Sequence, residues 1–534
     1  MTSRGPEGKP PGREEALGLR QALAAHRGRA RLDLLLERPE ALQGLPADEL
    51  FHAVVEVGLA DAPSVVQLAS PSQFRTFLDL AGWQGDEFAS ARVLPWLRAG
   101  RPPTLSDEGA EAAWQDKLAA LDLEVLSLLL RDVLRVHDLE EEPDPEPESE
   151  RFARTPEGRF LVEFVPEGAD ALVARRLLDD LYARDAFQAG RLLSAVRHEL
   201  VSELTEEALR LRTARLADLG YPPLEEALSW FARPASRRAE QPAGLPDRPP
   251  GFWLAAHRGQ TLLDRAAALL PARSRERFEL EAMAAANAVL VADRVDPGEP
   301  DEVRGALEAA RALLELGLEA TAGGDETAAA RVLASAPLKR VFQAGFGKLL
   351  ELRWRAQRLA RQAAPRGLAF DSPLGETLAA VRLRRPRYYP GVALPLADWG
   401  SPATGALSAR PFRSSAEVRA VADALGKAEG LLALAEGLEL AAPLPGAATV
   451  AALYLTARAN ERLGRPFVPQ PIPSAELAAA ARALLASSDP GPASQGEAGE
   501  LLAILARNRA LELGPLLAGE PAAPGTVTAL LVAP

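Results

Sequence analysis

The sequence predicts a mainly α, multi-domain protein with one small β-hairpin. Three observations carry this prediction. Apolar residues recur at helical spacing through most of the chain. One stretch, residues 152–165, alternates as two short strands around Pro156, Glu157 and Gly158. Two charged, proline-rich stretches, 138–150 and 233–250, interrupt the helical pattern and read as linkers.

The elements follow in order. Residues 1–12 are expected to be disordered, and 13–137 to form a helical-repeat-like domain with a solenoid-like character. Its helices run only about three turns, so they must stack on neighbours. Ala47 to Leu50 opens one helix, whose Leu50, Val54, Val55 and Val57 lie mostly on one face. Ser70 and Pro71 open another, a cap followed by a proline at the first helical position. Asp86 is expected to cap the helix carrying Val93, Leu94 and Trp96, and Leu105 to Glu108 to start the next. The acidic linker at 138–150 places Pro143, Pro145 and Pro147 at alternate positions, which blocks a helix. The hairpin and helices at 169–183, 185–198 and 204–219 then fill 151–232, with Gly220 as a helix stop. After the linker at 233–250, a C-terminal helical domain is expected at 251–520, with helices at 262–293, 300–321, 326–334, 336–362, 415–438, 447–463, 474–487 and 496–513. A loose tail is expected at 521–534. A length of 534 residues allows about three or four domains.

Composition closes off several chemistries. Apolar residues make up 47% and charged residues 25%, so the chain can bury real cores. It has no cysteine, which excludes disulfides, zinc knuckles, iron–sulfur clusters and thiol nucleophiles. The net charge is −13, and eight acids with no base fall in Asp138–Glu150. Such a balance argues against non-specific nucleic-acid binding as the main task. The opening MTSRGPEGKPPGREE has no apolar core, and no run of 18 apolar residues occurs. A cytoplasmic protein without membrane insertion is the expectation.

Few reactive motifs occur in the chain. A phosphate-binding loop fails at Gly347-Lys348, where Leu349 follows and Phe342 stands at the first glycine position. It fails likewise at Gly426-Lys427, with Val421 and Ala428. Ser494 between Gly491 and Gly496 has the wrong spacing for a nucleophile elbow. Gly345 and Gly347 lie inside a helical pattern and are read as allowing close helix packing. Glu49 and His52 share a helix face at the Glu-x-x-His spacing, but a carboxylate-bridged di-iron bundle needs two such motifs. They are read as surface residues, and no metal, cofactor or catalytic residue is assigned. Asn287 lies among Ala and Val, so it is expected to be buried and hydrogen-bonded to a neighbouring helix. Asp293 is expected at an exposed helix end. Trp83, Trp96, Trp114 and Trp230 follow apolar spacing and are read as core.

The strongest surface feature is basic. Ten bases between Lys348 and Arg387 face only Glu351, Asp371 and Glu376, a local charge of +7. The candidate binding residues are Trp354, Arg358, Arg361, Arg382, Arg384, Arg385, Arg387 and Tyr388. Trp354, Arg358 and Arg361 fall at i, i+4 and i+7, one helix face. Arginine forks beside aromatics suit carboxylates, phosphates or stacked bases. A solvated arginine-rich helix is the plainer reading. Pairing of this segment with the acidic linker, within one chain or between two, is a third.

The phrases LPADELFHAVVEVGL, LAGWQGDEF and RLADLGYPPLEEALSWF carry a resemblance. With the hairpin, and with FGKLLELRWRAQRL and RPFRSSAEV further on, the chain resembles a bacterial family known only as a domain of unknown function. The short N-terminal helices are also similar to the helical N-terminal domain of MgtE-type magnesium transporters. The family resemblance implies a mostly helical cytoplasmic protein and no catalytic residues. The functional expectation is a non-catalytic helical adaptor or scaffold for a protein partner. The alternatives are a phospholigand or nucleic-acid binder through 348–387, and an enzyme with a carboxylate or amide site in a helical cleft.

Overall fold

A computed structural model describes residues 22–23, 25–103, 108–232, 261–438, 448–486, 496–514 and 529–533. The chain divides into two units. Unit one comprises Met1–Arg311 with Glu326–Arg340, and unit two comprises Ala312–Asp325 with Val341–Pro534. The fold is mainly α, with small sheets of two or three strands. The expected disorder at 1–12, the linker at 233–250 and the Ser106–Asp107 helix start lie outside the described residues.

Unit one opens with short helices: α1 (Arg29–Leu36), α2 (Pro39–Leu42), α3 (Ala47–Val57), α4 (Pro63–Leu68), α5 (Pro71–Ala81), α6 (Ser90–Gly100), α7 (Glu108–Ala119) and α8 (Leu123–Val133). None is long enough to be stable alone in water. Their apolar faces are covered by the helix after next: α3 packs on α5, α4 on α6, α5 on α7, and α6 on α8. Phe51 stacks on Trp96 with ring centres 5.0 Å apart, and Phe77 tilts against the same indole at 5.3 Å. Trp83, Trp96, Trp114 and Trp230 are all buried. Ser70 caps α5 in a reciprocal capping box with Gln73, and Pro71 takes the first helical position. Asp86 caps nothing: it lies in the turn between β1 (Trp83–Gln84) and β2 (Glu87–Phe88), and α6 starts after Ala89 without a side-chain cap.

The expected hairpin is present, as two strands of a three-stranded antiparallel sheet. The strands β3 (Leu134–Asp138), β4 (Phe152–Arg154) and β5 (Phe160–Phe164) are ordered β3-β5-β4. All five residues of β5 are buried, so its backbone groups need a ladder on both edges. Val162 faces Val136 on one side and Ala153 on the other. The acidic stretch connects the two outer strands of this sheet. Its acids meet nearby arginines: Asp138 meets Arg159 at 2.9 Å, Glu141 meets Arg197 at 2.7 Å, and Glu148 meets Arg135 at 2.5 Å.

Next come α9 (Gly168–Arg184), α10 (Ala186–His198), α11 (Val201–Asp218) and α12 (Leu224–Ser229). The Asp185 carboxylate accepts from the Phe187 and Gln188 N–H groups at the start of α10. Gly220, at φ 86°, follows the end of α11. The long helix expected at 262–293 is two helices, α13 (Leu262–Ala268) and α14 (Ala272–Ala292). Pro271 causes the break, since it lacks an N–H and disfavours helical backbone at Leu270. Asn287 is buried on α14 and donates to the Gly220 carbonyl at 3.1 Å, just past the end of α11. Asp293 caps the exposed end of α14.

The remaining helices are α15 (Pro300–Ala322), α16 (Glu326–Ser335), α17 (Leu338–Ala363), α18 (Leu374–Arg382), α19 (Pro402–Gly405), α20 (Ser415–Glu436), α21 (Val450–Arg462), α22 (Leu477–Leu485) and α23 (Glu497–Ala510). Two short strands, β6 (Leu368–Ala369) and β7 (Ala448–Thr449), pair in parallel. In unit two, α20 packs on α18 and α23, and α21 on α22 and α23. The fully buried Asp371 carboxylate accepts from Arg509 Nε at 2.9 Å and from the Ala451 N–H at 3.3 Å, at the start of α21. Of the tail expected at 521–534, residues 529–533 are described. There Ile472 N–H donates to the Leu531 carbonyl at 2.9 Å, and Ala529 is fully buried.

The two glycines read as packing residues behave differently. A β-carbon at Gly345 would stand 2.0 Å from the Leu313 carbonyl oxygen, whereas one at Gly347 would meet open space. Gly345→Ala is therefore expected to destabilise unit two by about 3 kcal/mol or more. Gly347→Ala is expected to stabilise by up to about 1 kcal/mol through helix propensity. Urea unfolding of the two variants checks this, and equal midpoints would refute it.

Lys117 on α7 is only 2% exposed, and its ammonium donates to the Gln67 carbonyl. Burial without an acid beside it pulls its pKa from 10.5 down to about 8. Below pH 8 the folded and unfolded chains both carry the charge, and the burial cost is complete. Above 10.5 neither does. Stability contributed at this residue therefore rises with pH between those values. Lys117→Met is expected to stabilise by about 1–2 kcal/mol at pH 7, with the difference shrinking as the pH passes from 8 to 10.5. Thermal unfolding across that range checks the trend.

Candidate functional site

The basic segment is built on α17, and helix geometry decides which of its residues face outward. Taking Gly345 as the contact line, each residue turns about 100°. Phe346, Leu349, Leu352, Ala356, Leu359 and Ala363 all fall within about 100° of that line, and all are buried. Trp354, Arg358 and Arg361 fall at about 180°, 220° and 160°. They stand on the opposite face and are exposed, with Trp354 showing 45% of its surface. Together with Glu351, Arg355 and Gln362 they line one open, shallow depression.

The cations on this face are not equivalent. Arg355 is held by α20. It donates to both Glu429 oxygens at 2.8 Å and to the Ala422 carbonyl at 2.7 Å. That bidentate bond lifts the arginine's pKa and holds Glu429 below the usual carboxylate range. Arg358 makes no hydrogen bond or ion pair among the described residues. Arg361 reaches only the Gln357 carbonyl of its own helix, at 3.3 Å. The face thus carries one exposed indole with two arginine heads directed at solvent.

The second group of candidates lies elsewhere. Arg385 sits over the Phe346 ring at 5.9 Å. Phe346 is twelve residues before Arg358, or about 18 Å along the helix. Arg382, Arg384 and Arg387 are exposed, and none has a side-chain partner among the described residues. The structure therefore separates the candidates into two groups. Tyr388 belongs to neither surface. It is 3% exposed, exchanges backbone hydrogen bonds with Arg410, and lies beneath the Arg410 guanidinium at 4.7 Å. Burial, with Glu417 nearby, pushes its hydroxyl pKa up.

Glu49 and His52 correct the surface reading. Both are buried, as is Asp48. The helix α1 covers α3 and brings a buried arginine, Arg31, whose pKa is lowered by burial and raised by the charges of Glu56 and Glu49. A local pattern shows that two side chains share a face, but not whether another helix covers it. Among the described residues, no group of three or more His, Asp or Glu is arranged to hold a metal ion. No described helix is long and apolar enough to cross a membrane.

Sequence reading missed the residue that holds Arg355 at this site. Glu429 lies 74 residues away. No local spacing signals that pairing. The participation of Glu351, Arg355 and Gln362 was legible in principle, because they flank the Trp354 face at i−3, i+1 and i+8.

No curated protein and no solved structure matches the chain. A family model does match, over residues 14–518. By that match the chain belongs to DUF6178, a family of unknown function.

Proposed function

We propose that this protein is a non-catalytic cytoplasmic adaptor that holds an acidic segment of a partner protein on the outer face of α17. One observation carries the reading. Trp354 is exposed beside Arg358 and Arg361, neither of which forms an ion pair with an acid among the described residues. Guanidinium forks match carboxylates, and an adjacent indole adds apolar contact area. The depression is shallow and open, which suits an extended segment better than an enclosed small molecule.

The short extent of the cationic face favours a protein segment over nucleic acid. Glu351 borders the same depression, and the whole chain is at −13. These charges limit any ligand to a short run of negative charge, and the second arginine group is too far along α17 to extend that contact along a phosphate backbone.

The test uses the full-length chain and two fluorescent probes of equal charge, a Glu/Asp-rich peptide and a single-stranded oligonucleotide. The peptide is expected to bind more tightly, and its affinity to fall as salt rises. The double reversal R358E/R361E is expected to weaken it at least tenfold, and Trp354→Ala several-fold. All three positions are exposed, so the fold is expected to be unaffected. Tighter binding of the oligonucleotide, or peptide binding indifferent to the reversal, would overturn the reading.

A further inference from the structure

A cavity of about 320 Å³ opens in unit one among α4, α6, α7 and α9. Its walls are largely apolar. Leu97, Trp114, Val173 and Leu177 line it, and each is buried against the helices around it. The volume corresponds to about ten water molecules and lies at the lower end of ligand-site sizes.

Three arginines also line this cavity, and two of them are already engaged. Arg98 is paired with Asp170 at 2.7 Å. Arg101 forms a two-pronged bond with the buried Asp180, at 2.7 and 3.0 Å. Asp180 also accepts the Trp114 indole N–H at 2.7 Å, so the indole's one donor is used. Arg176 differs. It is exposed at the cavity and has no hydrogen bond or ion pair among the described residues. Its position on α9 explains its aim, since Val173, Arg176 and Leu177 fall at i, i+3 and i+4 on one face.

An apolar hollow with one unneutralised guanidinium at its edge selects a particular ligand chemistry. The body of the ligand must be apolar, because the walls offer it few polar partners. The head must be a single anion, because only one cation awaits it. We propose that unit one binds an apolar monocarboxylate, with its tail among Leu97, Trp114, Val173 and Leu177 and its carboxylate on Arg176. This site lies in the other unit from the α17 face, so its failure would leave the adaptor reading untouched.

The test is titration of the full-length protein with hexanoate, octanoate and decanoate below their micelle concentrations, followed by calorimetry and tryptophan fluorescence. Each added methylene is expected to tighten binding about threefold to fourfold until the cavity is full. Decanol, which has the tail without the charge, is expected to bind about tenfold more weakly than decanoate. Arg176→Gln should remove that difference and leave decanol binding unchanged. Leu177→Trp fills the cavity and should abolish binding of both. Val173→Phe makes the same test if the first variant unfolds, and circular dichroism reports folding for each. The proposal is overturned by an absence of saturable binding, by equal affinity for decanol and decanoate, or by binding that survives in a folded cavity-filled variant.

Discussion

At Gly345 the carbonyl oxygen of Leu313 stands 2.0 Å from where a β-carbon would be, and at Gly317 that of Val341 stands 1.8 Å away. No other residue type fits either position without moving a helix. The two backbones therefore approach more closely than side chains would allow, and this contact sets the rotation of α17 about its axis. Everything else on that helix follows from 100° steps. The apolar residues turn inward as a stripe, Arg355 reaches sideways to Glu429 on α20, and Trp354, Arg358 and Arg361 turn out. The apolar stripe of α17 demands burial on one side, and the glycine contact lies on that same side and fixes its line of approach.

Charge is distributed by the same economy of local partners. Isolated charges in the interior are costly, and pairs at the surface contribute little. The acidic stretch between β3 and β4 is met by Arg135, Arg159 and Arg197 of unit one. The basic run of unit two is met in part by Glu429, Glu436 and Glu351. Each run thus has partners within its own unit, and mutual docking is not needed to neutralise either. Among the described arginines without an ion pair are Arg358 and Arg361 on α17, Arg382, Arg384 and Arg387 after it, and Arg176 on α9.

Unit one manages its interior polar groups differently from one place to the next. Asp180 is buried but receives three donor bonds, two from Arg101 and one from Trp114. Asp79 is buried against Arg215, and burial outweighs that partner in raising its pKa. Lys117 has a carbonyl for company and no acid. Short helices explain the burial of Asp79 and Lys117. A three-turn helix has little room to separate an apolar stripe from a polar one, so long polar side chains are carried into the core and must find partners there. The cavity beside Trp114 belongs to the same packing, because Asp180 orients both the indole and Arg101 at its wall.

The sequence by itself determined the helical fold class, the hairpin turn, the Ser70 cap, the Gly220 stop, the buried tryptophans and the burial of Asn287. These are local or periodic features, set by φ preferences, capping groups and the repeat of apolar residues. It also placed Trp354, Arg358 and Arg361 on one face, because three and four residues make one turn. Only the tertiary structure decided the rest. It added β3 to the hairpin, covered Glu49 and His52 with α1, and buried Tyr388 beneath Arg410. It also parted the basic segment into two groups and paired Arg355 with Glu429 and Asp371 with Arg509. These depend on which residues distant in sequence become neighbours, and spacing along a chain carries no information about a partner 74 or 138 residues away.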